Sequence, residues 1–565
     1  LLACTRSALL AATGGAAFVA GLVGPIGIAA GAPTVGSPNT ATADPPIAVP
    51  RTTPCVVPLF AGLTFADFSP KLFSYAPAAA CPGPWAKVVL AADFSVTAGR
   101  QFDRTASIWL GGANLYFGTT AEPSRTVSPS WHVESDLTDY GALFGAPQPG
   151  MVQLDNLVND TFTSILSGSA ELRFYPVAPR TQAPVAADAV LPLSAGPNGG
   201  AVDLATTAST LTRTFTLPTN VERAILDVYA QSQGGDEFWY TCVPDDLTGP
   251  LQSCGATAFR EAEIAVDGRP AGVAPVYPWI FTGGIDPNLW KPIPGVQTLN
   301  FTPYRVDLTP FAGVLSDGAP HQITVSVFNA NNRFATTASL LVFLDHHASH
   351  VRGAVTVDTL DAAPTPTVRP TIATAADGTI TASVDVASSR RYRIAGFVDT
   401  SHGRVQTEVN ADLQFANRQR FQISAALYHQ QIAQTTTVLA RTTTVDRGRR
   451  TDRLVQLSWP LDVDFSFATN PDSSSAQTTV IDQRFERSDT ELADGRLAAF
   501  RIVSNTVAPA DTLNFDPSGV FVGSTGQTST QRYFAADSSG ACFSRDLTAA
   551  AGVLTAVVDG HECGR

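Results

Sequence analysis

The sequence predicts an all-β protein built from sandwiches or jelly rolls, and three observations carry that reading. Apolar and polar residues alternate with a period of two over many short stretches, the pattern of a pleated strand with one buried face. Only 15% of the 565 residues are charged, against about 25% in an average globular protein, while 44 glycines and 40 prolines supply frequent turns. No amphipathic helix of three turns can be traced, and no fixed period points to a solenoid or propeller.

At about 150 residues per domain the length allows three or four cores. Residues 1–43 read as a signal peptide and leader. Arg6 precedes an apolar run from Ser7 to Ala32, and two A-x-A sites, Ala30-Gly31-Ala32 and Ala41-Thr42-Ala43, could end it. A membrane anchor is the competing reading of that run. Residues 33–53, rich in Pro, Thr and Ala, are expected to be mobile. An N-terminal β domain follows over 44–185, with strands predicted at Trp85–Val96, Thr105–Leu110, Asn114–Thr119 and Glu171–Tyr175. The Pro- and Gly-rich stretch 177–199 reads as a linker or crossover. A second β domain covers 186–355, with strands at Ala224–Ala230, Glu261–Val266, Gln322–Phe328 and Ser339–Leu344, and a β-rich C-terminal domain covers 356–565.

Cysteine usage agrees with export. Once Cys4 leaves with the signal, six remain and fall into local pairs, so Cys55–Cys81, Cys242–Cys254 and Cys542–Cys563 are the expected disulfides. The net charge of −13 has no basic block behind it and argues against nucleic-acid binding. No P-loop, Rossmann, G-x-S-x-G or H-E-x-x-H fingerprint is present. His346, His347 and His350 form HHASH, a superficial metal cluster whose acidic or Cys partners have no recognisable spacing, so no metal is expected.

One stretch carries chemistry on its own terms. In GRQFDRTASIWLGG (99–112) a strand alternates from Thr105 to Leu110, and Asp103 and Arg104 stand where it emerges. Neighbouring strand side chains point to opposite faces, so an Asp103 aimed into a cleft leaves Arg104 facing away. Such a carboxylate can position or deprotonate water. A plain strand-entry Asp beside a surface Arg is the bland alternative.

The chain resembles the peptide-N-glycosidase A family of glycopeptidases over nearly all its length after about residue 50. The resemblance rests on GRQFDRTASIWLGG, GTTAEPSRT (118–126), DLTDYGALF (136–144), GGDEFWY (234–240), REAEIAVDG (260–268), VYPWIFTGGIDPNLWKPIPG (276–295), YRVDLTPF (304–311), VFNANNRF (327–334) and LVFLDHHASHVRG (341–353). DRTASIWL is also similar to a strand of the F-type glycopeptidases whose Asp is the main catalytic carboxylate. The resemblance implies two jelly-roll domains side by side with the site between them, followed by the C-terminal β-rich domain. It implies a secreted amidase that cleaves the bond between an Asn side-chain carbonyl and an N-linked glycan. The expected partners are N-glycopeptides or N-glycoproteins recognised at the chitobiose core, with no cofactor, no membrane association after signal cleavage, and a monomer.

Under that resemblance Asp103, Glu237 and Arg260 are the candidate catalytic residues. Asp103 activates water, Glu237 polarises the amide or contacts the sugar, and Arg260 donates to the amide oxygen or holds one of the two acids. Arg104, Glu122, Asp236, Trp239, Asp286 and Trp290 are the candidate substrate contacts. Trp239 and Trp290 would offer flat faces to a sugar ring, although the aromatics of GGDEFWY could equally pack as structure. Asp286 is a ligand contact or the cap of the IDPN turn. A non-catalytic carbohydrate-binding protein on the same frame is the alternative function, and it too would use Trp239 and Trp290. A structural or adhesive β protein is a third reading.

Overall fold

The computed structural model describes residues 33–563. The apolar run read as a signal peptide, the Ala30–Ala32 site and Cys4 lie outside the described residues.

Eight strands form the first sandwich: β1 (Cys55–Phe65), β2 (Lys71–Tyr75), β3 (Trp85–Val96), β4 (Thr105–Leu110), β5 (Ala113–Thr119), β6 (Ser130–Asp136), β7 (Gln148–Leu154) and β8 (Leu166–Pro176). They pair as β1-β8-β3-β6 and β2-β7-β4-β5, which is jelly-roll order. Every second residue of β3, from Val88 to Val96, enters a core shared with Ile108, Leu172 and Phe174.

The second sandwich repeats this topology. It contains β9 (Ala189–Leu193), β10 (Val202–Leu204), β11 (Thr210–Thr216), β12 (Val221–Ser232), β13 (Glu261–Val266), β14 (Arg269–Pro275), β15 (Tyr304–Asp307), β16 (Pro320–Phe328) and β17 (Phe334–Leu344). One sheet runs β10-β17-β12-β15 and the other β11-β16-β13-β14. Strand β9 pairs further along β17 and falls inside the stretch read as a linker. The two sandwiches are joined by polar contacts. Tyr116 Oη donates to the Leu299 carbonyl at 2.7 Å, the Thr119 N–H donates to the Thr298 carbonyl at 2.8 Å, and Arg305 bridges Asp139 (2.6 Å) and Asp227 (2.7 Å).

The C-terminal region departs from the expected short strands. It is one antiparallel sheet of eleven strands: β18 (Arg352–Asp358), β19 (Thr367–Thr374), β20 (Ile380–Thr400), β21 (Gly403–Ile423), β22 (Leu427–Asp446), β23 (Arg449–Thr469), β24 (Ser475–Ala493), β25 (Arg496–Phe515), β26 (Phe521–Asp537), β27 (Cys542–Ala550) and β28 (Val553–Asp559). Its strands reach 21 residues. Two-residue turns such as Arg447-Gly448 and Asp494-Gly495, with φ of 48° and 77° and of 49° and 78°, match the twist of the strands they join. One face of this sheet continues the core of the second sandwich, with Phe415 against Trp239 and Trp459 against Tyr277.

Residues 33–54 are not a mobile leader. They form an extended strap between the first sandwich and the long sheet. The Ala43 N–H donates to Gln531 Oε1 (2.7 Å), the Ile47 N–H to Glu134 Oε2 (2.8 Å), and Asn505 and Gln531 both donate to the Asp44 carboxylate. The Ala41-Thr42-Ala43 site is part of this strap, and Ala43 is fully buried. The three disulfides are Cys55–Cys81, Cys242–Cys254 and Cys542–Cys563.

Candidate active site

Antiparallel pairing of β4 with β5 builds the first half of the site. Thr105 faces Thr119 across the ladder, so the residues before β4 and after β5 emerge together. Thr120 continues the pairing, its N–H donating to the Arg104 carbonyl and its Oγ1 accepting the Arg104 N–H, both at 2.8 Å. Glu122 then curls back, and its Oε1 accepts the main-chain N–H of Asp103 at 3.2 Å. Two carboxyl groups nineteen positions apart in the chain therefore stand side by side.

The second half comes from two loops of the other sandwich. After β12 the chain makes a tight turn, Gly234–Asp236, and presents Glu237. Asp236 does not face substrate. It is fully buried, its Oδ2 accepts the N–H groups of Asn331, Asn332 and Arg333 (2.9, 2.7 and 2.9 Å), and its Oδ1 pairs with the buried Arg260 at 3.0 Å. Arg260 Nη1 donates to the carbonyls of Ala256, Thr257 and Phe259. Its guanidinium is consumed by these partners, so the expected catalytic donor is a staple that fixes the Glu237 turn.

Gly283, on the loop between β14 and β15, closes the cluster. A side-chain carbon there would collide with Asp103 Oδ1 and Glu122 Oε1, and the Gly283 N–H hydrogen-bonds to the Asp103 carboxylate. Trp290 holds this loop. Its Nε1 donates to the Gly284 carbonyl at 2.9 Å and its ring is buried. Trp239 is fully buried against Tyr240 and Phe415. Neither indole offers a face to a sugar, and the platform reading of both is overturned. Asp286 is buried as well. Its Oδ1 caps the turn by accepting the Asn288 N–H (2.8 Å), and its other oxygen faces Asp511 of the long sheet. The turn-cap reading of Asp286 holds, and the ligand-contact reading does not.

Burial and mutual repulsion order the titration of the three converging acids. Burial raises Asp103 to about 6, against a partial offset from hydrogen bonds and Arg104. Burial together with the Asp103 charge raises Glu122 to about 8 and Glu237 to about 8. Near neutral pH the cluster holds one carboxylate, Asp103, between two protonated acids. Lys291 Nζ stands 4.0 Å from Glu122. Arg104 is half-buried, donates to Gln101 Oε1 at 2.7 Å and sits in the field of Asp103, Glu122 and Asp155.

Three further residues bear on the site. Gln101 is buried and ties the Asp103 approach to the carbonyls of Leu157 and Ser164. Phe102, next to Asp103, is exposed and lies 5.1 Å from the Phe162 ring. Gly283 is required for close approach. Phe102 sits in the FDR string but alternation assigns it no face, and nothing local marks Gly283 or Gln101. A large cavity, about 1740 Å³, lies elsewhere, between the first sandwich, the strap and the long sheet, and includes neither Asp103 nor Glu237. Its position follows from how the layers meet, whereas the perturbed acids mark the chemistry. In HHASH, His346 pairs with Asp188. Among the described residues, no group of three or more His, Cys, Asp or Glu side chains is placed to hold a metal ion.

Residues 51–359 match the family model described as peptide N-acetyl-beta-D-glucosaminyl asparaginase amidase A. Peptide-N4-(N-acetyl-beta-glucosaminyl)asparagine amidase A of Prunus dulcis is 31% identical over 329 residues, 54% of this chain and 57% of that protein, so the match spans little more than half of the relative. Among solved structures, PNGase F from Flavobacterium meningosepticum aligns at 14% identity over 52% of this chain and 96% of its own, with a TM-score of 0.36. PNGF-II aligns at 14% identity over 53% and 66%, also at 0.36. The family match covers both sandwiches, all three acids and the Gly283 loop, and the chain belongs to the peptide N-acetyl-beta-D-glucosaminyl asparaginase amidase A family.

Proposed function

We propose that this protein is an exported N-glycan amidase that hydrolyses the amide between an Asn side chain and its first N-acetylglucosamine. The observation that carries the reading is the junction cluster: Asp103 and Glu122 side by side against Gly283, and Glu237 within the field of Asp103, with burial raising all three acids. Asp103 takes a proton from water as its oxygen attacks the side-chain carbonyl carbon. Glu237, protonated, donates to the developing oxyanion or to the departing nitrogen. The C–N bond breaks, Asn becomes Asp, and the glycan leaves as a glycosylamine that then loses ammonia. No step in this sequence calls on a metal or a covalent intermediate. Glycopeptides and glycoproteins opened enough to present the chitobiose core are the substrates this reading names, and the protein acts as a monomer.

Export rests on the three disulfides, which persist in oxidising compartments. No helix among the described residues is long and apolar enough to cross a membrane. The non-catalytic carbohydrate-binding alternative loses support because both of its indole platforms are buried. Incubating the full chain with an N-glycopeptide from about pH 4 to about pH 9 and weighing the peptide tests the proposal. Conversion of the glycosylated Asn to Asp is expected. A peptide that keeps one sugar, or stays intact with the glycan bound, overturns it.

A further inference from the structure

All of the long C-terminal sheet except β18 lies outside the family match, and its inner face carries buried amide side chains where apolar residues are the rule. Six of these side chains donate to main-chain carbonyls of the two loops that build the site. Asn417 Nδ2 donates to the Tyr240 carbonyl and Gln419 Nε2 to Cys242, both at 2.9 Å, and Gln430 Nε2 to Thr241 at 3.2 Å. These carbonyls lie three to five residues after Glu237. Gln477 donates to Ile285 (3.2 Å), two residues past Gly283. Gln483 grips the same loop at both ends, donating to Pro278 (2.7 Å) and accepting from the Val296 N–H (2.9 Å). Gln527 donates to the carbonyls of Asn288 (3.0 Å) and Lys291 (2.8 Å).

We propose that the C-terminal sheet is a positioning template for catalysis, with Gln419, Gln483 and Gln527 as positioning residues that set the Glu237 and Gly283 loops against Asp103. A long antiparallel ladder places every second side chain at a fixed coordinate, so its amides are donors at preset points. Loops of irregular backbone need such partners, since a buried carbonyl without one is costly. Small displacements of catalytic groups lower turnover before they weaken binding. Gln431, on the outer face of the same sheet, is exposed and bonds Asp464, and it serves as the internal control.

The inference rests on the amidase reading. Its test is glycopeptide kinetics for Gln483→Leu, Gln527→Leu and Gln419→Leu in the full chain, with Gln431→Leu beside them. The three inner-face variants are expected to lose about tenfold or more in kcat with KM within about twofold, and to shift a limb of the pH–rate curve, while Gln431→Leu matches wild type. Folded inner-face variants with wild-type kcat and pH profile overturn the template role. If Gln483→Leu fails to fold, Gln527→Leu, at the less buried end of the face, carries the test. If wild type itself cleaves no glycopeptide, the amidase reading fails, and amide hydrogen exchange over residues 278–297 then decides the template. Faster exchange in Gln527→Leu supports it and unchanged exchange sinks it.

Discussion

Glu122 accepts the main-chain N–H of Asp103 at 3.2 Å, so the residue proposed to activate water is held by a second acid through its backbone. Asp103→Asn is accordingly expected to fold, with a melting temperature no lower than that of wild type, and to bind glycopeptide as wild type does. Its kcat should fall by about 10²–10⁴, the usual worth of a general base. Isothermal titration with the uncleaved glycopeptide, run beside the kinetics, separates the two quantities.

The split among the acids sets a pH profile. Asp103 must lose its proton to act, so activity rises as pH climbs through about 6. Glu237 must keep its proton, so activity falls as pH climbs through about 8. A bell with those limbs is expected for kcat/KM. Glu237→Gln should flatten the alkaline limb and leave the acid limb in place, and a rate survey of both proteins at constant ionic strength checks it.

Stability should fall steadily over the same pH range. Burial raises Asp286 to about 7 where it faces Asp511 across the boundary between the site loop and the long sheet. A carboxyl whose folded value lies above its unfolded value of about 4 favours the fold fully below that value and loses the contribution as pH rises through the folded value. Asp103, Glu122 and Glu237 act in the same sense. The melting temperature is expected to fall between about pH 4 and about pH 8. Asp286→Asn should reduce that slope, which calorimetry at stepped pH would read.

Arg260 separates a staple from a catalytic donor. Removing it leaves Asp236 buried with a charge and without its guanidinium. Such a loss costs about 3–5 kcal/mol, so Arg260→Ala is expected to unfold several degrees earlier. A donor to substrate alone would leave the melting temperature untouched and lower only kcat.

Much of the architecture was legible in the residues. Trp85–Val96, Thr105–Leu110 and Glu261–Val266 show the period-two pattern of a strand, and each is a strand with those bounds. The long sheet was harder. Its inner face mixes Val and Phe with Gln, Asn and Thr, and period-two hydropathy fades when the buried positions are amides. The strap was misread for a related cause. Residues 33–54 have no periodicity of their own, and they are held by Gln531, Asn505 and Glu134, partners that no local pattern reveals.

The site was legible in part. Asp103 and Glu237 stand in short strings that single them out as candidates, and the fold brings them within each other's field. Trp239, Trp290 and Asp236 were misassigned because residue type tells what a side chain can do and not which way it faces. In GGDEFWY the turn sends Glu237 to the junction and buries both Asp236 and Trp239. Gly283 was invisible because its role is the absence of a side chain.

The central claim, that Asp103 directs water at the Asn side-chain carbonyl, is tested most directly in heavy-oxygen water. Wild type and Asp103→Asn would each be given an N-glycopeptide there, and the released peptide weighed. Wild type is expected to yield a peptide whose new Asp carries one heavy oxygen, and Asp103→Asn to yield almost none. A wild-type peptide that retains a sugar, or an Asp103→Asn enzyme that labels Asp at the wild-type rate, would contradict it.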